Sequence, residues 1–187
     1  MGLDMYLMKM PRYKNATAKD VSKVERYLDW QSAKENPFSE WKGMSLENYC
    51  GFKENELPPQ DVIDFYEKQC TADEAYHNIM EEVAYWRKNN AIHQWFVDNV
   101  QDGIDDCDYH NEVTPEHLKE LIGLCTKVLT NREMADRLLP TQDGFFFGGL
   151  EYDAWYFKGI AKTVNTLMDV ALNTDFETEM LYYVSSW

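Results

Sequence analysis

Read from its start, Gly2-Leu3-Asp4-Met5-Tyr6-Leu7-Met8-Lys9-Met10 is rich in β-compatible and flexible apolar residues, which predicts a strand over residues 3–9. Thr17 with Asp20 three positions on has the form of a capping box. Val21, Val24, Tyr27 and Leu28 then recur at helical spacing and predict a helix over 18–30. Residues 31–59 mix Asn36-Pro37, Gly43, Gly51 and Pro58-Pro59 with isolated aromatics such as Phe38, Trp41 and Phe52, which reads as an irregular segment with hydrophobic pins. Pro59, tolerated in a first turn, opens a short helix through Gln69 with Val62, Phe65 and Tyr66 inward. Thr71 with Glu74 offers a further capping box leading to a long helical segment over 80–100, in which Tyr85, Ile92, Phe96 and Val100 form a buried strip that Gly103 ends.

The second half is more regular. Thr114 makes a good N-cap with Pro115 in the first helical position, and Leu118, Leu121, Ile122, Cys125 and Leu129 keep the helical period. Leu138-Leu139-Pro140 ends a helix, and Asp143-Gly144 favours a tight reversal. Phe145-Phe146-Phe147 is a short apolar run, read as a candidate strand and stopped by Gly148-Gly149. A helix over 152–171 follows, with Trp155 or Tyr156, Ile160, Val164, Leu167 and Val170 inward. The end, Met180-Leu181-Tyr182-Tyr183-Val184-Ser185-Ser186-Trp187, favours β structure. The expectation is an α+β fold, mainly α-helical, formed as one domain over 1–187. Its helices pack around a small antiparallel sheet in which the N- and C-terminal strands pair and protect each other's edges.

Composition narrows the function classes. At 187 residues, 44% apolar and 14% aromatic, the chain can bury an ordinary core without a metal or disulfide. It has no apolar run of membrane-spanning length and no signal peptide, so no membrane association is expected. Lys and Arg number 18 against 33 Asp and Glu, a net charge of −15. Residues 1–53 carry nine basic and seven acidic side chains, whereas residues 54–187 carry nine basic against 26 acidic, a net of −17. Such a body repels phosphate backbones, so direct nucleic-acid binding is not expected. The same charge would let it imitate nucleic acid toward a protein partner, although an acidic solubilising surface is the simpler reading. Cys50, Cys70, Cys107 and Cys125 lack the spacing of a zinc or redox motif, which points to reduced thiols in a cytoplasmic protein, with Cys125 a small hydrophobe inside a helix.

Candidate chemistry concentrates in residues 85–97. On one continuous helix Trp86, Asn90, His93 and Val97 would share a row, with Arg87, Asn90, Gln94 and Gln101 beside it. Solvated helix faces favour Glu and Lys, so amides, an imidazole and a guanidinium in these rows suggest directed hydrogen bonding. Trp86, Arg87, Asn90, His93 and Gln94 are therefore the candidate ligand-binding residues. The simpler alternative is an internal polar network that locks this helix to the loop after Pro140. Should Glu151 or Asp153 fold back onto Arg87 or His93, a carboxylate would orient a basic group, the minimum for acid–base work, making His93, Glu151 and Asp153 the candidate catalytic residues.

Other motifs carry less. Gly148-Gly149 resembles a phosphate-cradling corner, but Glu151 and Asp153 in the next helical turn would repel phosphate, and no familiar nucleotide motif is present. Asp102, Asp105, Asp106, Asp108 and His110 read as a solvated acidic turn. Their spacing misses an EF-hand, and Cys107, His110 and His117 are a weak zinc set. Ser185 and Ser186 have no base nearby in sequence, and His77 and His117 read as surface or cap residues. No metal and no cofactor are expected.

The start Met1-Gly2-Leu3-Asp4-Met5-Tyr6-Leu7, the core from Tyr85-Trp86-Arg87-Lys88-Asn89-Asn90-Ala91-Ile92-His93 to Val100-Gln101-Asp102-Gly103, Leu139-Pro140-Thr141 with Gly144-Phe145-Phe146-Phe147-Gly148, and Ser185-Ser186-Trp187 resemble a family of small uncharacterised proteins from bacteria and their phages. The resemblance implies such an origin, a shared fold and a cytoplasmic location. With the acidic body and the lack of a strong catalytic motif, the expectation is a non-enzymatic accessory or binding module whose partner is a host or phage protein or a small molecule. The alternative is a small hydrolase or transferase using Arg87, His93 and the carboxylate of Glu151 or Asp153.

Overall fold

Leu3, Met5 and Leu7 are fully buried while Asp4 and Tyr6 between them are half-buried. That two-residue period belongs to a strand with one face on a core, and β1 spans Asp4–Pro11. β4 (Glu81–Arg87) and β5 (Glu179–Ser186) flank it in one antiparallel sheet of order β4-β1-β5, so the N- and C-terminal strands do pair. The structure, a computed structural model, describes residues 2–35, 45, 48, 50–73, 76–145 and 147–187. Two units are distinguished: Met1–Lys9 with Glu82–Trp187, and Met10–Glu81. The fold is α+β and mainly helical, and among the described residues no helix is long and apolar enough to cross a membrane.

Met10–Glu81 holds α1 (Ala18–Glu35), a 3-10 turn (Glu54–Glu56), α2 (Gln60–Gln69) and a hairpin of β2 (Thr71–Asp73) with β3 (Tyr76–Asn78). The Thr17–Asp20 capping box forms, with Thr17 N donating to Asp20 Oδ2 at 2.9 Å and Asp20 N to Thr17 Oγ1 at 3.4 Å. α1 runs five residues beyond its expected end. Pro59 is the N-cap of α2, not its first helical residue, and the buried positions are Val62, Ile63 and Tyr66, while Phe65 stacks on Tyr13 at 4.2 Å. Thr71 belongs to β2, a strand where a helix start was expected. Glu74 lies outside the described residues, as do Asn36, Pro37, Phe38, Trp41, Gly43 and Phe146. Glu25 of α1 reaches across to accept from the N–H groups of Ile79 and Met80 at 2.8 and 3.2 Å, and burial raises its carboxyl pKa.

The other unit contains α3 (Asn90–Asn99), α4 (Pro115–Thr130), the short α5 (Ala135–Leu138) and α6 (Ala154–Leu172). Its core joins Leu3, Met5, Leu7 and Trp86 from the sheet with Ile92 and Phe96 of α3, Leu118, Leu121 and Cys125 of α4, and Ile160 and Leu167 of α6. Phe96 stacks face to face on Tyr183 of β5 at 4.2 Å. Cys125 packs as a small hydrophobe, and burial pushes its thiol up to about 12. The expected helix over 80–100 is corrected: residues 81–87 are β4, and the helix begins only at Asn90. Its left-handed turn at Lys88 (φ +54°) is what separates the two. Trp86 and Arg87 therefore stand on adjacent, opposite-facing strand positions and share no helical row with Asn90 or His93. Phe145 and Phe147 are likewise not strand residues: each is in a turn, Phe145 95% exposed and Phe147 buried.

Candidate functional site

A cleft of about 640 Å³ opens within the larger unit. The end of β4 supplies Tyr85, Trp86 and Arg87, and the connection to α3 supplies Lys88 and Asn89. The first residue of α3, Asn90, faces Gly148, Gly149, Glu151 and Asp153 of the loop ahead of α6, and Trp155, Tyr156, Lys158 and Lys162 come from α6 itself. Of the sequence candidates, the cleft thus brings together Trp86, Arg87, Asn90, Glu151 and Asp153. It leaves out His93 and Gln94.

Local backbone geometry builds the walls. Lys88 N donates to Leu3 O at 2.8 Å, extending the strand pairing by one residue before the chain turns. Gly148 lies against this turn at φ +100°, where a Cβ would sit 3.2 Å from both the Cβ and the carbonyl oxygen of Lys88. Only glycine tolerates both the angle and the approach. Asn90, buried, fixes the opposite strand of loop: its Nδ2 donates to Phe147 O (3.3 Å) and Gly149 O (2.9 Å), and its Oδ1 accepts from Gln142 N (3.3 Å). This is the network to the loop after Pro140 that the sequence offered as the simpler reading of Asn90. Asn89 completes the floor, donating to the buried Thr163 Oγ1 at 3.3 Å across Gly159, where a Cβ would come within 3.1 Å of its Nδ2.

The electrostatics of the cleft run against those of the unit. The unit carries nine basic and 19 acidic side chains, yet its cleft is lined by four basic residues, Arg87, Lys88, Lys158 and Lys162, and two acidic ones. Arg87 Nη1 donates to both carboxylate oxygens of Asp4, at 2.9 and 3.1 Å, and that carboxylate also accepts from the Tyr85 hydroxyl. Lys162 Nζ donates to Tyr85 O at 2.8 Å. Lys88 and Lys158 are exposed and have no carboxylate within 4 Å among the described residues. Asp153 is the N-cap of α6, its Oδ1 accepting from Trp155 N and Tyr156 N at 2.9 and 3.0 Å. The helix N-terminus is thus already satisfied by a carboxylate. Glu151 is exposed, and neither it nor Asp153 approaches His93 or Arg87 as an orienting partner; that role falls to Asp105 and Asp4.

His93 lies elsewhere, with a side chain 0% exposed. Its Nε2 is 3.1 Å from Asp105 Oδ1 and its Nδ1 2.7 Å from the Tyr183 hydroxyl. A carboxylate only accepts, so Nε2 carries the proton of the neutral ring, and Nδ1 accepts from Tyr183 O–H. Burial lowers the His93 pKa, against the opposing pull of Asp105, and raises that of Tyr183 well above its ordinary value. Trp187 Nε1 donates to the same Asp105 oxygen at 3.2 Å. Both ring nitrogens of His93 are partnered and enclosed, so this cluster ties α3 to β5 and to the acidic turn. Gln94 bonds Asp98 on its own helix at 2.8 Å. Gln101 is buried, donating to Asp108 O at 3.3 Å. His110 Nε2 pairs with Asp106 at 2.7 Å, and His117 is the reciprocal partner in the capping box of Thr114. Among the described residues no group of three or more His, Cys, Asp or Glu is placed to hold a metal ion.

The cleft residues that the sequence does not single out are Lys88, Lys158, Lys162 and Trp155; of the expected inward position at Trp155 or Tyr156, it is Tyr156 that is half-buried, while Trp155 is 76% exposed. Lys158 and Lys162 are the only basic residues of α6 and stand four apart on one face. In so acidic a chain that pair was a legible signal. Compared with family models, with curated proteins and with solved structures, the chain matches none.

Proposed function

We propose that the chain is a non-catalytic binding module whose cleft takes a small anionic ligand. What carries this reading is the reversal of charge at the cleft: four of the unit's nine basic side chains line it, against two of its 19 acidic ones. A concave wall of low polarisability concentrates the field of those cations, and the acidic surface around it discourages large polyanions while leaving a small anion a local sink. The volume of about 640 Å³ suits a small organic molecule. No comparable observation favours the hydrolase or transferase alternative, since the imidazole assigned to it is enclosed and Asp153 is committed to its helix. A bacterial or phage origin, a cytoplasmic location and a host or phage protein partner accompany this reading as proposals supported by the sequence motifs and the acidic body.

The test is a thermal-shift panel of small organic phosphates and carboxylates with their uncharged counterparts, run on the wild-type chain and on Lys88→Gln/Lys158→Gln. Anionic compounds are expected to raise the Tm of the wild type and to lose most of that effect on the variant. A panel in which no anion distinguishes the two proteins would overturn the reading.

A further inference from the structure

Resting on the anion-binding reading, we propose that the ligand is an aromatic anion: a planar ring bearing a phosphate or carboxylate, and not a bare inorganic ion. Trp155 lines the cleft from the first turn of α6 while 76% exposed, and Lys158 Nζ lies 5.4 Å from its ring centroid. An indole left this open is a costly choice for a surface, and a ring paired with a cation is a ready stacking platform for a second ring that carries negative charge. Tyr156 beside it also lines the cleft and meets Tyr152 edge to face at 5.0 Å, so the α6 wall of the cleft presents rings together with the cation of Lys158.

The helix N-terminus cannot be the anion's seat, because the Asp153 carboxylate already occupies it. The anionic group is therefore placed with Arg87 and Lys88 and the ring with Trp155.

Calorimetric titration of the full chain with 1-naphthyl phosphate, inorganic phosphate and 1-naphthol tests this. Stacking on an exposed indole predicts that naphthyl phosphate binds about tenfold or more tightly than inorganic phosphate. Trp155→Ala is expected to remove that advantage and leave the phosphate affinity unchanged, and Trp155→Phe to restore most of it, which loss of stability alone would not do. Equal binding of the two phosphates, or no effect of Trp155→Ala, overturns the aromatic assignment while leaving the anionic cleft standing. Binding of neither anion, or naphthol binding as tightly as its phosphate, overturns both.

Discussion

Asn90 satisfies three backbone groups of the loop 142–149 with a single buried amide. Truncating it leaves the Gln142 N–H and the carbonyls of Phe147 and Gly149 without this partner, so Asn90→Ala is expected to cost about 2 kcal/mol of stability in chemical denaturation and to loosen the Gly148–Gly149 wall. His93 makes a second prediction through its protonation. Burial lowers its folded pKa below the unfolded value, so the unfolded chain binds the proton more readily. Its contribution is fully present above the ordinary histidine pKa of about 6.5 and declines as pH falls through that value. A His93→Gln variant should show a flatter stability profile between about pH 7 and 5 in urea melts. An unchanged slope would mean that the imidazole is not the titrating group. Tyr183 stays protonated throughout this range, its pKa having been raised by the same burial.

At the scale of elements, α4 is where local rules and structure agree most closely. Thr114 Oγ1 accepts from His117 N at 3.3 Å, and His117 Nδ1 accepts from Thr114 N at 3.2 Å, so both open N–H groups are met. Thr114→Ala should cost about 1 kcal/mol, read as a lowered Tm, with little effect on ligand binding at the cleft. Elements with strong punctuation, α4 and α6 among them, were legible because a capping side chain, an N-terminal proline or a 3.6-residue period marks them without help from the tertiary fold. Residues 81–87 misled because Val83 and Tyr85 lie half-buried while Ala84 and Trp86 are buried on the other face, a two-residue pattern that merges smoothly into the helical strip of Ile92 and Phe96. The break between them rests on one left-handed residue, Lys88, and lysine advertises no such angle. The candidate site was half legible for the same reason. Residue types in 85–97 marked Trp86, Arg87 and Asn90, but partners that depend on long-range folding, such as Asp4 for Arg87 or Asp105 for His93, leave no local trace.

For the molecule as a whole, charge is the governing quantity. A net of −15 gives every approaching anion a repulsive background, and the four cations of the cleft must overcome it at short range. Added salt screens both fields, but the attractive contacts are what hold the ligand once bound. The dissociation constant of the best-binding anion should therefore rise about threefold or more between low and physiological ionic strength, in titrations at fixed pH. Insensitivity to salt would mean that apolar contact with Trp155 and Tyr156 dominates. The sheet order bears on how such a chain is made. β1, built from residues 4–11, is the middle strand, and one of its neighbours is residues 179–186. During synthesis one edge of β1 stays open until residues 179–186 have been made, so this sheet closes late relative to its first strand, and its nascent form has an adhesive ribbon to shield.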